Sequence, residues 1–414
     1  MRFIHCSDIH LGKTYRSVFA EKQRYEDFFQ MLSGIVADAV DKQVDFMLIG
    51  GDLFHVGQIL PKTFARTIET LQPLKDAGIP CIAIEGNHDW VHRRDNVSWM
   101  EALSQLGYIC LLRPQRTEEG GYHFAPFDVE EGCGGHLQIG DLNIYGVGYI
   151  GAQAGNHVER ICKAVETQNN LLLFHVGVWT YSPVEIGNMK PEEAHPLAET
   201  FSYVALGHGH KPYVVETPAG NGYAYNPGSP ERVNFGEQKY DKGYYLVEVE
   251  DGGFTPAFIP TDPRPMHVEK VDLDGTTNAA EALQRVVEQV TALLADNEDS
   301  RQPLLELKLT GRVKFHPFEL GRERLQAALA DFANPLHLEV KNQLSLHTKS
   351  ASADDEKKSL SEIEEDVLHE LISADSHYQG QEDELCKLAL RLRDAVQQGV
   401  NDGDELLALL EGDR

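Results

Sequence analysis

The sequence predicts an α/β fold for most of the chain, and three observations lead to that prediction. Its 414 residues are 42% hydrophobic and 25% charged, which is the composition of a packed globular protein with roughly two to three domains. Over about the first 260 residues, short apolar runs alternate with longer segments whose apolar residues recur at mixed three- and four-residue spacing. The apolar runs end in polar turns that contain glycine, as strands in α/β proteins do.

The predicted elements follow this alternation along the chain. Strands are expected at residues 2–6, 46–49, 81–84, 171–174 and 203–206. Helices are expected between the first three strands, at 25–42 and 62–77, because apolar residues recur there at helical spacing. Further strands are expected within 142–149 and 223–250, where aromatic residues alternate with polar ones between glycine turns.

Three prolines in six residues, Pro260, Pro263 and Pro265, indicate a domain boundary. The sequence therefore predicts a first domain over 1–262. A small α+β domain follows over 266–348, where the expected helices cover about 278–296 and 320–333. Residues 350–355 are polar and are expected to form a linker. Residues 356–414 are expected to be helical, because apolar residues near 360–372 and 385–396 fall on one helical face.

The charge of the chain restricts the function classes that fit it. The formal net charge is −28, and residues 351–414 hold 18 Asp and Glu against 6 Lys and Arg, a net of −12. A passive nucleic-acid binder is disfavoured, because neutralising phosphates needs Lys and Arg. An acidic protein can still act on phosphodiesters when bound divalent cations supply the positive charge.

Cysteines and apolar runs give an expectation about the compartment. Six cysteines are scattered without a Cys-x-x-Cys pair, which excludes a zinc ribbon and a dense disulfide framework and fits a reducing cytoplasm. No apolar run approaches the ~20 residues that a membrane helix needs. The first residues show no apolar signal region. We therefore expect a cytoplasmic protein without membrane contact.

Five short segments place metal-type ligands directly after predicted strands. Taken alone, each has an ordinary interpretation as turn, helix-cap or core residues. Sites in open α/β sheets form outside the carboxyl ends of the strands, where loops distant in sequence meet. Imidazole and carboxylate together suit Mn, Fe, Zn and similar divalent ions, and their joint occurrence favours a metal site. The segments are Ser7-Asp8-Ile9-His10, Gly50-Gly51-Asp52-Leu53-Phe54-His55, Gly86-Asn87-His88-Asp89, His175 and Gly207-His208-Gly209-His210.

This series of motifs resembles the calcineurin-like metallophosphoesterase superfamily over about residues 1–250. Within the superfamily it is similar to the SbcD/Mre-eleven branch of DNA-repair nucleases, and the length and acidic C-terminal region are most similar to the bacterial YhaO-type exonucleases. The motifs that carry the branch resemblance are Asp8-Ile9-His10-Leu11-Gly12, Gly51-Asp52-Leu53-Phe54-His55, Asn226-Pro227-Gly228-Ser229-Pro230-Glu231-Arg232 and Lys242-Gly243-Tyr244. We interpret Ser229, Glu231 and Arg232 as structural, a turn followed by an ion pair.

The resemblance implies a fold, a cofactor and site residues. The fold is a four-layer α-β-β-α sandwich with a small α+β capping domain and a helical C-terminal region, and the cofactor is a pair of divalent ions. Because a ligand set rich in imidazole disfavours magnesium, we expect manganese to be the best activator. One ion would be held by Asp8, His10, Asp52 and His210, and the second by Asp52, Asn87, His175 and His208. His88 would face the scissile phosphate without binding metal, and its imidazole could protonate the leaving oxygen or stabilise charge.

His55 departs from the pattern of many phosphatases in the superfamily. They carry an aspartate at this position that orients the catalytic histidine, so the usual carboxylate partner of His88 is either missing or supplied by another residue. The resemblance to the nuclease branch implies that His55 contacts the DNA strand near the cut. The structural alternative is that His55 is a simple loop residue.

Basic and aromatic residues near the motifs are candidates for contact with substrate. Lys13, Arg16, Arg93 and Arg94 could contact the phosphate backbone, which fixes register without reading sequence, although each could equally be a solvated surface charge. The side chains of Tyr15 and Trp90 could stack on unpaired bases, whereas Trp99 is expected to pack in the core.

Three hypotheses for the function follow. The leading one is a two-metal phosphodiesterase that cleaves DNA as an exonuclease, with single-strand endonuclease activity as a second possibility. The resemblance adds a partner, an SbcC-like SMC-type ATPase, and a homodimer. The alternative is a small-molecule phosphoesterase such as a cyclic-nucleotide phosphodiesterase. A catalytically idle scaffold for an ATPase is disfavoured by the intact ligand set. His55 and the module after Pro265 favour the nuclease.

Overall fold

The computed structural model describes residues 1–15, 18–90, 97–182, 186–295, 299–346, 360–373, 378 and 380–397. The chain divides into two compact units, Met1–Met266 and His267–Arg414. Among the described residues, no helix combines the length and the apolar character needed to cross a membrane.

The strands of the first unit are β1 (Arg2–Cys6), β2 (Phe46–Ile49), β3 (Cys81–Ala83), β4 (Cys110–Leu111), β5 (Gln115–Arg116), β6 (Tyr122–His123), β7 (His136–Ile139), β8 (Leu142–Val147), β9 (Asn170–Phe174), β10 (Gly177–Val178), β11 (Asn188–Met189), β12 (Tyr203–Leu206), β13 (Tyr213–Glu216), β14 (Gly222–Asn226), β15 (Gly243–Glu250) and β16 (Gly253–Pro260). Its α-helices are α1 (Val18–Asp41), α2 (Pro61–Asp76), α3 (Trp99–Gln105), α4 (Val158–Lys163) and α5 (Pro191–Thr200).

Two six-stranded sheets form the centre of the first unit. One has the order β16-β15-β1-β2-β3-β4, in which β1 to β4 run parallel and β15 pairs antiparallel with β1. The other has the order β13-β14-β12-β9-β8-β7, with a parallel centre and an antiparallel strand at each edge. In each sheet the parallel strands present their carboxyl ends at one edge.

Three apolar cores hold these layers together. Between the sheets, the Phe3 ring stacks on Phe46 at 4.7 Å between centroids and meets Tyr203 edge-on at 5.4 Å. Ile4 and Cys6, in the same strand, face the other way, into the core that α1, α2 and α3 cover. This alternation is the period of a strand buried on both faces. Helices α4 and α5 cover the second sheet. The predicted four-layer α-β-β-α sandwich is confirmed.

Helix α1 begins at Val18, seven residues before the start that apolar spacing predicts. Its early turns include Arg24, a charged residue that is fully buried. The Arg24 guanidinium pairs with Asp27 at 2.9 Å and with Glu231 at 3.3 Å. Because these pairings depend on the tertiary fold, apolar spacing alone could not place the start of the helix.

The second unit contains a three-stranded sheet with the order β17-β18-β19. Its strands are β17 (Met266–Asp272), β18 (Leu304–Val313) and β19 (His337–Leu346), and its first helices are α6 (Ala279–Leu294) and α7 (Arg322–Leu329). Asn278 caps α6 by accepting a hydrogen bond from the backbone N–H of Glu281. The apolar face of α6, including Val286 and Val290, packs with the leucines of β18.

Two further helices, α8 (Leu360–Ser373) and α9 (Glu382–Gln397), follow in the acidic region and pack against each other. The Nε2 atom of His369 lies 2.9 Å from Asp383, and Arg393 pairs with Glu364. The predicted helical C-terminal region is confirmed for these residues. The predicted linker at 350–355 lies outside the described residues.

Candidate metal centre

The loops that follow β1, β2, β3, β9 and β12 meet at the carboxyl ends of these strands. The loop after β1 runs beside the loop after β2, and backbone hydrogen bonds join them. The N–H of Asp8 donates to the carbonyl of Gly51 at 3.1 Å, and that of His10 donates to the carbonyl of Asp52 at 3.0 Å. Backbone pairing therefore holds the two aspartates at fixed positions beside each other.

Glycine is required where these loops approach most closely. Gly51 has a φ of +94°, and a Cβ atom there would lie 2.3 Å from Nδ1 of His175. A Cβ atom at Gly207 would lie 2.1 Å from the carbonyl oxygen of Gly50. Asp8 and Asp52 adopt φ values of 54° and 51°, a conformation that non-glycine residues seldom take and that concentrates at functional sites. The backbone is thus shaped to bring the predicted ligands together.

Asp52 lies between two groups of imidazoles. Its Oδ2 atom is 3.6 Å from Nε2 of His175 and 3.8 Å from Nε2 of His10. On the His10 side, Nε2 of His210 lies 3.0 Å from Nε2 of His10 and 3.8 Å from Oδ1 of Asp8. This carboxylate is therefore placed where a bridging ligand between two sites would be.

Asn87 organises the other side of the cluster. Its side-chain oxygen lies 2.9 Å from Nδ1 of His208 and 3.2 Å from Nε2 of His175. The backbone N–H of His208 donates to both oxygens of Asp8 at 3.1 Å. The structure thus brings together all seven residues that the sequence suggested as metal ligands.

The donor set fits two divalent ions. Asp8 and Asp52 are both buried, and the groups of the described chain within ion-pair distance of them are imidazoles rather than Lys or Arg. Two buried carboxylates need a compensating positive charge. One oxygen of each, with a nitrogen of His175, falls within a 4.8 Å span that could hold an ion. Imidazole, carboxylate and amide oxygen suit Mn, Fe or Zn.

Three of the proposed ligand histidines, His175, His208 and His210, each donate a hydrogen bond from one ring nitrogen to a nearby acceptor. Nδ1–H of His175 donates to the carbonyl of Gly50 at 2.6 Å, and Nε2–H of His208 donates to that of Ile186 at 2.6 Å. Nδ1–H of His210 donates to the carboxylate of Glu237 at 2.7 Å. These hydrogen bonds fix the tautomer and leave the other nitrogen of each ring with a lone pair.

Burial also keeps most of these imidazoles neutral. It lowers the pKa of His175 to about 3 and holds the pKa values of His10 and His208 below the ordinary value. His210 differs: burial lowers its pKa, but the hydrogen bond and charge of Glu237 raise it above its ordinary value. A neutral imidazole is the form that binds a metal, so the site is prepared for cations.

His88 is held at the edge of the cluster by its own loop. Its backbone N–H donates to Oδ1 of Asp52 at 2.8 Å, and its Nδ1–H donates to the backbone carbonyl of His55 at 2.7 Å. The His55 and His88 rings stack with their centroids 5.4 Å apart, and Nδ1 of His55 lies 3.3 Å from Nδ1 of His10. Both predicted catalytic histidines are therefore at the site.

A cavity of about 360 Å³ opens onto this cluster. Such a volume is typical of pockets that bind small molecules or single residues of a polymer. Its lining residues are Asp52, Asn87, His88, His208, His210, Asn234, Gly236, Glu237 and Tyr240.

Two buried carboxylates at the site received no role from sequence reasoning. Asp89 accepts hydrogen bonds from the backbone N–H groups of Phe54 and Gly86 at 2.9 Å each, so it ties the loop after β2 to the loop after β3. Burial raises its pKa to about 7. Glu237 holds His210. Asp89 stands within a motif already singled out, but no spacing signal marks Glu237.

The structure places only some of the predicted substrate contacts. Lys13 is half-buried, with its ammonium 5.7 Å from the Tyr15 ring centroid, whereas Arg16, Arg93 and Arg94 lie outside the described residues. Trp90 is 54% exposed, and its ring meets Tyr149 edge-on at 5.8 Å. The Tyr149 ring in turn lies 5.3 Å from that of His208, an aromatic neighbour of the site that sequence reasoning missed.

Trp99 is half-buried, and its ring packs against Phe64 at 5.1 Å between centroids, as expected for a core residue. Glu231 pairs with Arg24 at 3.3 Å, and the guanidinium of Arg232 donates to the carbonyl of Arg264 at 2.9 Å.

Comparison with known proteins identifies the family. Residues 1–212 match the family model described as calcineurin-like phosphoesterase. The protein called DNA double-strand break repair protein Mre11 from Archaeoglobus fulgidus is 27% identical over 288 residues, which cover 66% of this chain and 62% of the relative. The protein of that name from Sulfolobus acidocaldarius is 26% identical over 357 residues, or 84% of each chain, and that from Haloferax volcanii is 29% identical over 295 residues, or 69% of this chain and 58% of the relative.

These relatives confirm the resemblance to the Mre11 branch at modest identity, although the chain spans less than two thirds of the length of the Archaeoglobus and Haloferax proteins. The family match extends over half of the chain and includes every predicted ligand, from Asp8 to His210. The chain belongs to the calcineurin-like phosphoesterase family.

Proposed function

We propose that the chain is a two-metal phosphodiesterase that cleaves DNA, acting as an exonuclease in DNA repair. The observation that carries the proposal is the position of Asp52 between the His10 and His175 imidazoles, 3.8 and 3.6 Å from them. One carboxylate between two groups of imidazoles is the arrangement that a two-metal site needs. The relatives named as double-strand break repair proteins support DNA as the substrate.

The ligand assignment follows the two sides of the cluster. In the proposal, one ion is held by Asp8, His10, Asp52 and His210, and the other by Asp52, Asn87, His175 and His208. When bound, two divalent ions would activate water and neutralise charge that develops on the phosphate. Manganese is the proposed metal, because a site rich in imidazole disfavours magnesium.

His88 has the geometry of a residue that acts on the phosphate rather than on the metals. Because its Nδ1–H donates to the carbonyl of His55, Nε2 is the nitrogen left for substrate. A doubly protonated His88 could donate the Nε2 proton to the leaving oxygen and thereby assist cleavage. The His55 ring, which stacks on that of His88, is proposed to contact the DNA strand near the cut.

The roles proposed for the remaining parts of the chain rest on its resemblance to the SbcD/Mre-eleven branch. Residues 266–348 would form a capping domain that contacts DNA. Residues 356–414 would dock on an SMC-type ATPase of the SbcC kind, and the nuclease would act as a homodimer in the cytoplasm. The net charge of −12 over 351–414 supports a protein partner for this region, because it would repel DNA.

One experiment separates DNA cleavage from small-molecule hydrolysis. Purified protein with manganese is tested on end-labelled single- and double-stranded DNA, beside bis-p-nitrophenyl phosphate and a cyclic nucleotide, with the Asp52→Ala variant as control. We expect manganese-dependent DNA cleavage that the variant lacks. Rapid hydrolysis of the cyclic nucleotide without DNA cleavage would establish the alternative, a small-molecule phosphodiesterase.

A further inference from the structure

The proposed metal ligands are not held in the same way on the two sides of the cluster. His175 and His208 each donate their second N–H to a backbone carbonyl, a neutral acceptor. His210 donates to Glu237, an anionic one. A carboxylate partner makes an imidazole a stronger base and a stronger metal ligand than a carbonyl does. The two metal positions therefore differ electrostatically.

Glu237 is buried and is held from several directions. Its Oε1 atom accepts from Nδ1 of His210 at 2.7 Å and from the side-chain amide of Asn234 at 2.7 Å. Its Oε2 atom accepts from Nζ of Lys242 at 2.6 Å, from the backbone N–H of Val233 at 3.0 Å and from the hydroxyl of Ser229 at 3.3 Å. A carboxylate with this many donors has one orientation, so it can hold the His210 ring in one orientation as well.

Lys242 connects this carboxylate to the rest of the loop. Its side chain is completely buried, and its ammonium also donates to the Ser229 hydroxyl at 2.6 Å and to the backbone carbonyl of His210 at 3.1 Å. Ser229 and Lys242 belong to the two motifs, 226–232 and 242–244, that supply no metal ligand. Their position behind His210 gives those motifs a function at the site.

We propose that Glu237 is a positioning residue that sets the affinity of one of the two ions, the one that His210 would hold, and leaves the affinity of the other unchanged. This inference rests on the two-metal site proposed above. The expected effect of losing such a partner is a ~10–100-fold decrease in metal affinity. Ser229 and Lys242 contribute by fixing the carboxylate.

The chain offers a matched control six residues earlier. Glu231 is as deeply buried as Glu237, but its described contacts are with Arg24, at 3.3 Å, and with the backbone N–H groups of Arg232 and Arg264. Loss of stability from removing a buried charge should therefore be seen in variants of both glutamates. Loss of metal affinity through His210 should be seen only in variants of Glu237.

The test is calorimetric titration of the full-length, metal-depleted protein with Mn²⁺. Wild type should bind two ions. Glu237→Gln should bind one with wild-type affinity and the other ~10–100-fold more weakly, and Glu231→Gln should bind both as wild type does while unfolding at lower denaturant concentration. In a His210→Ala background, Glu237→Gln should cause no further loss, because the two residues act as one unit.

Ser229→Ala is the milder variant that decides the question if Glu237→Gln does not fold. It keeps the carboxylate and removes one hydroxyl, and it should weaken the same ion several-fold. Wild-type affinity for both ions in the decisive variant, or an equal loss at both sites, would overturn the inference and leave the two-metal proposal intact. Fewer than two ions in the wild type would instead overturn the proposed function.

Discussion

The Nδ1 atom of His88 lies 2.7 Å from the backbone carbonyl oxygen of His55. The sequence left open whether the carboxylate that usually orients this histidine is missing or replaced. In the structure, a backbone carbonyl rather than a carboxylate accepts the hydrogen bond from Nδ1–H of His88. The hydrogen bond that orients His88 therefore does not depend on which side chain occupies position 55, and the His55 imidazole is available for another role.

Replacing His55 with alanine should thus leave His88 in place and leave metal binding unchanged. We expect the loss of activity to be smaller than the ~10²–10⁴-fold typical of a missing general acid. It should be larger on duplex DNA ends than on bis-p-nitrophenyl phosphate, because the proposed contact is with DNA. Parallel rate measurements on both substrates check this. Equal losses on the two substrates would argue against a DNA contact.

His88→Ala and Asp52→Ala should separate catalysis from metal binding. His88 is assigned to the phosphate, so its removal should decrease the cleavage rate by ~10²–10⁴-fold with both ions retained. Asp52 lies between the two ligand groups, so its removal should abolish both cleavage and metal binding. Elemental analysis of each purified variant, beside rate measurements, checks the assignment. Loss of metals from His88→Ala would show that the role given to it is wrong.

The sequence predicted the parts of the site that consecutive residues carry. Asp8 and His10 follow an apolar strand, and the structure places them with Asp52 because parallel strands end at a common edge. Glu237 could not be found in this way. Its relation to His210 spans 27 residues and depends on the loop between β14 and β15, which has no periodic pattern.

Dependence on contacts between distant residues also explains why α1 begins at Val18, seven residues before the predicted start. Arg24 is charged and therefore adds nothing to the apolar spacing, but the structure buries it between two carboxylates. Charges that are paired inside the fold break the pattern on which the prediction depends. Strands β1, β2 and β12 have the predicted bounds, and β2 and β12 are continuously apolar.

The buried carboxylate of Asp27 should make stability depend on pH in the acid range. It accepts hydrogen bonds from Nε and Nη2 of Arg264, at 2.6 and 2.7 Å, and from Arg24 at 2.9 Å. Burial raises the pKa of Asp27, but the two guanidinium groups lower it by more than burial raises it. The net pKa is therefore below the ordinary 3.8. A lowered pKa in the folded state stabilises the protein above pH 3.8, and that contribution is lost as the pH falls through the folded-state pKa.

Asp27→Asn should therefore be less stable than wild type at pH 7 by roughly 3–5 kcal/mol, since it removes the carboxylate to which the buried guanidinium groups of Arg24 and Arg264 donate. The difference should shrink as the pH falls below about 3.8. Denaturant unfolding of both proteins at a series of pH values measures it. A difference that stays constant down to the most acid pH at which both fold would contradict the assigned ion pairs.

Truncation after Lys349 should keep the nuclease folded and active while removing its association with an SbcC-like ATPase. The proposed ligands lie between residues 8 and 210, and α8 and α9 pack on each other through contacts such as Cys386 Sγ to the Glu365 carbonyl at 3.5 Å. Cleavage assays and co-purification with the ATPase check the two halves of the prediction. An insoluble or inactive truncated protein would show that the helices belong to the folded core of the nuclease.

The proposed function requires two divalent ions, held on the two sides of Asp52, for DNA cleavage. The decisive measurement is the rate of end-labelled DNA hydrolysis while the manganese bound per chain is raised from none to saturation. We expect no cleavage by the metal-free protein and full cleavage only when the second ion is bound. Full cleavage without metal, or with a single bound ion at saturation, would contradict it.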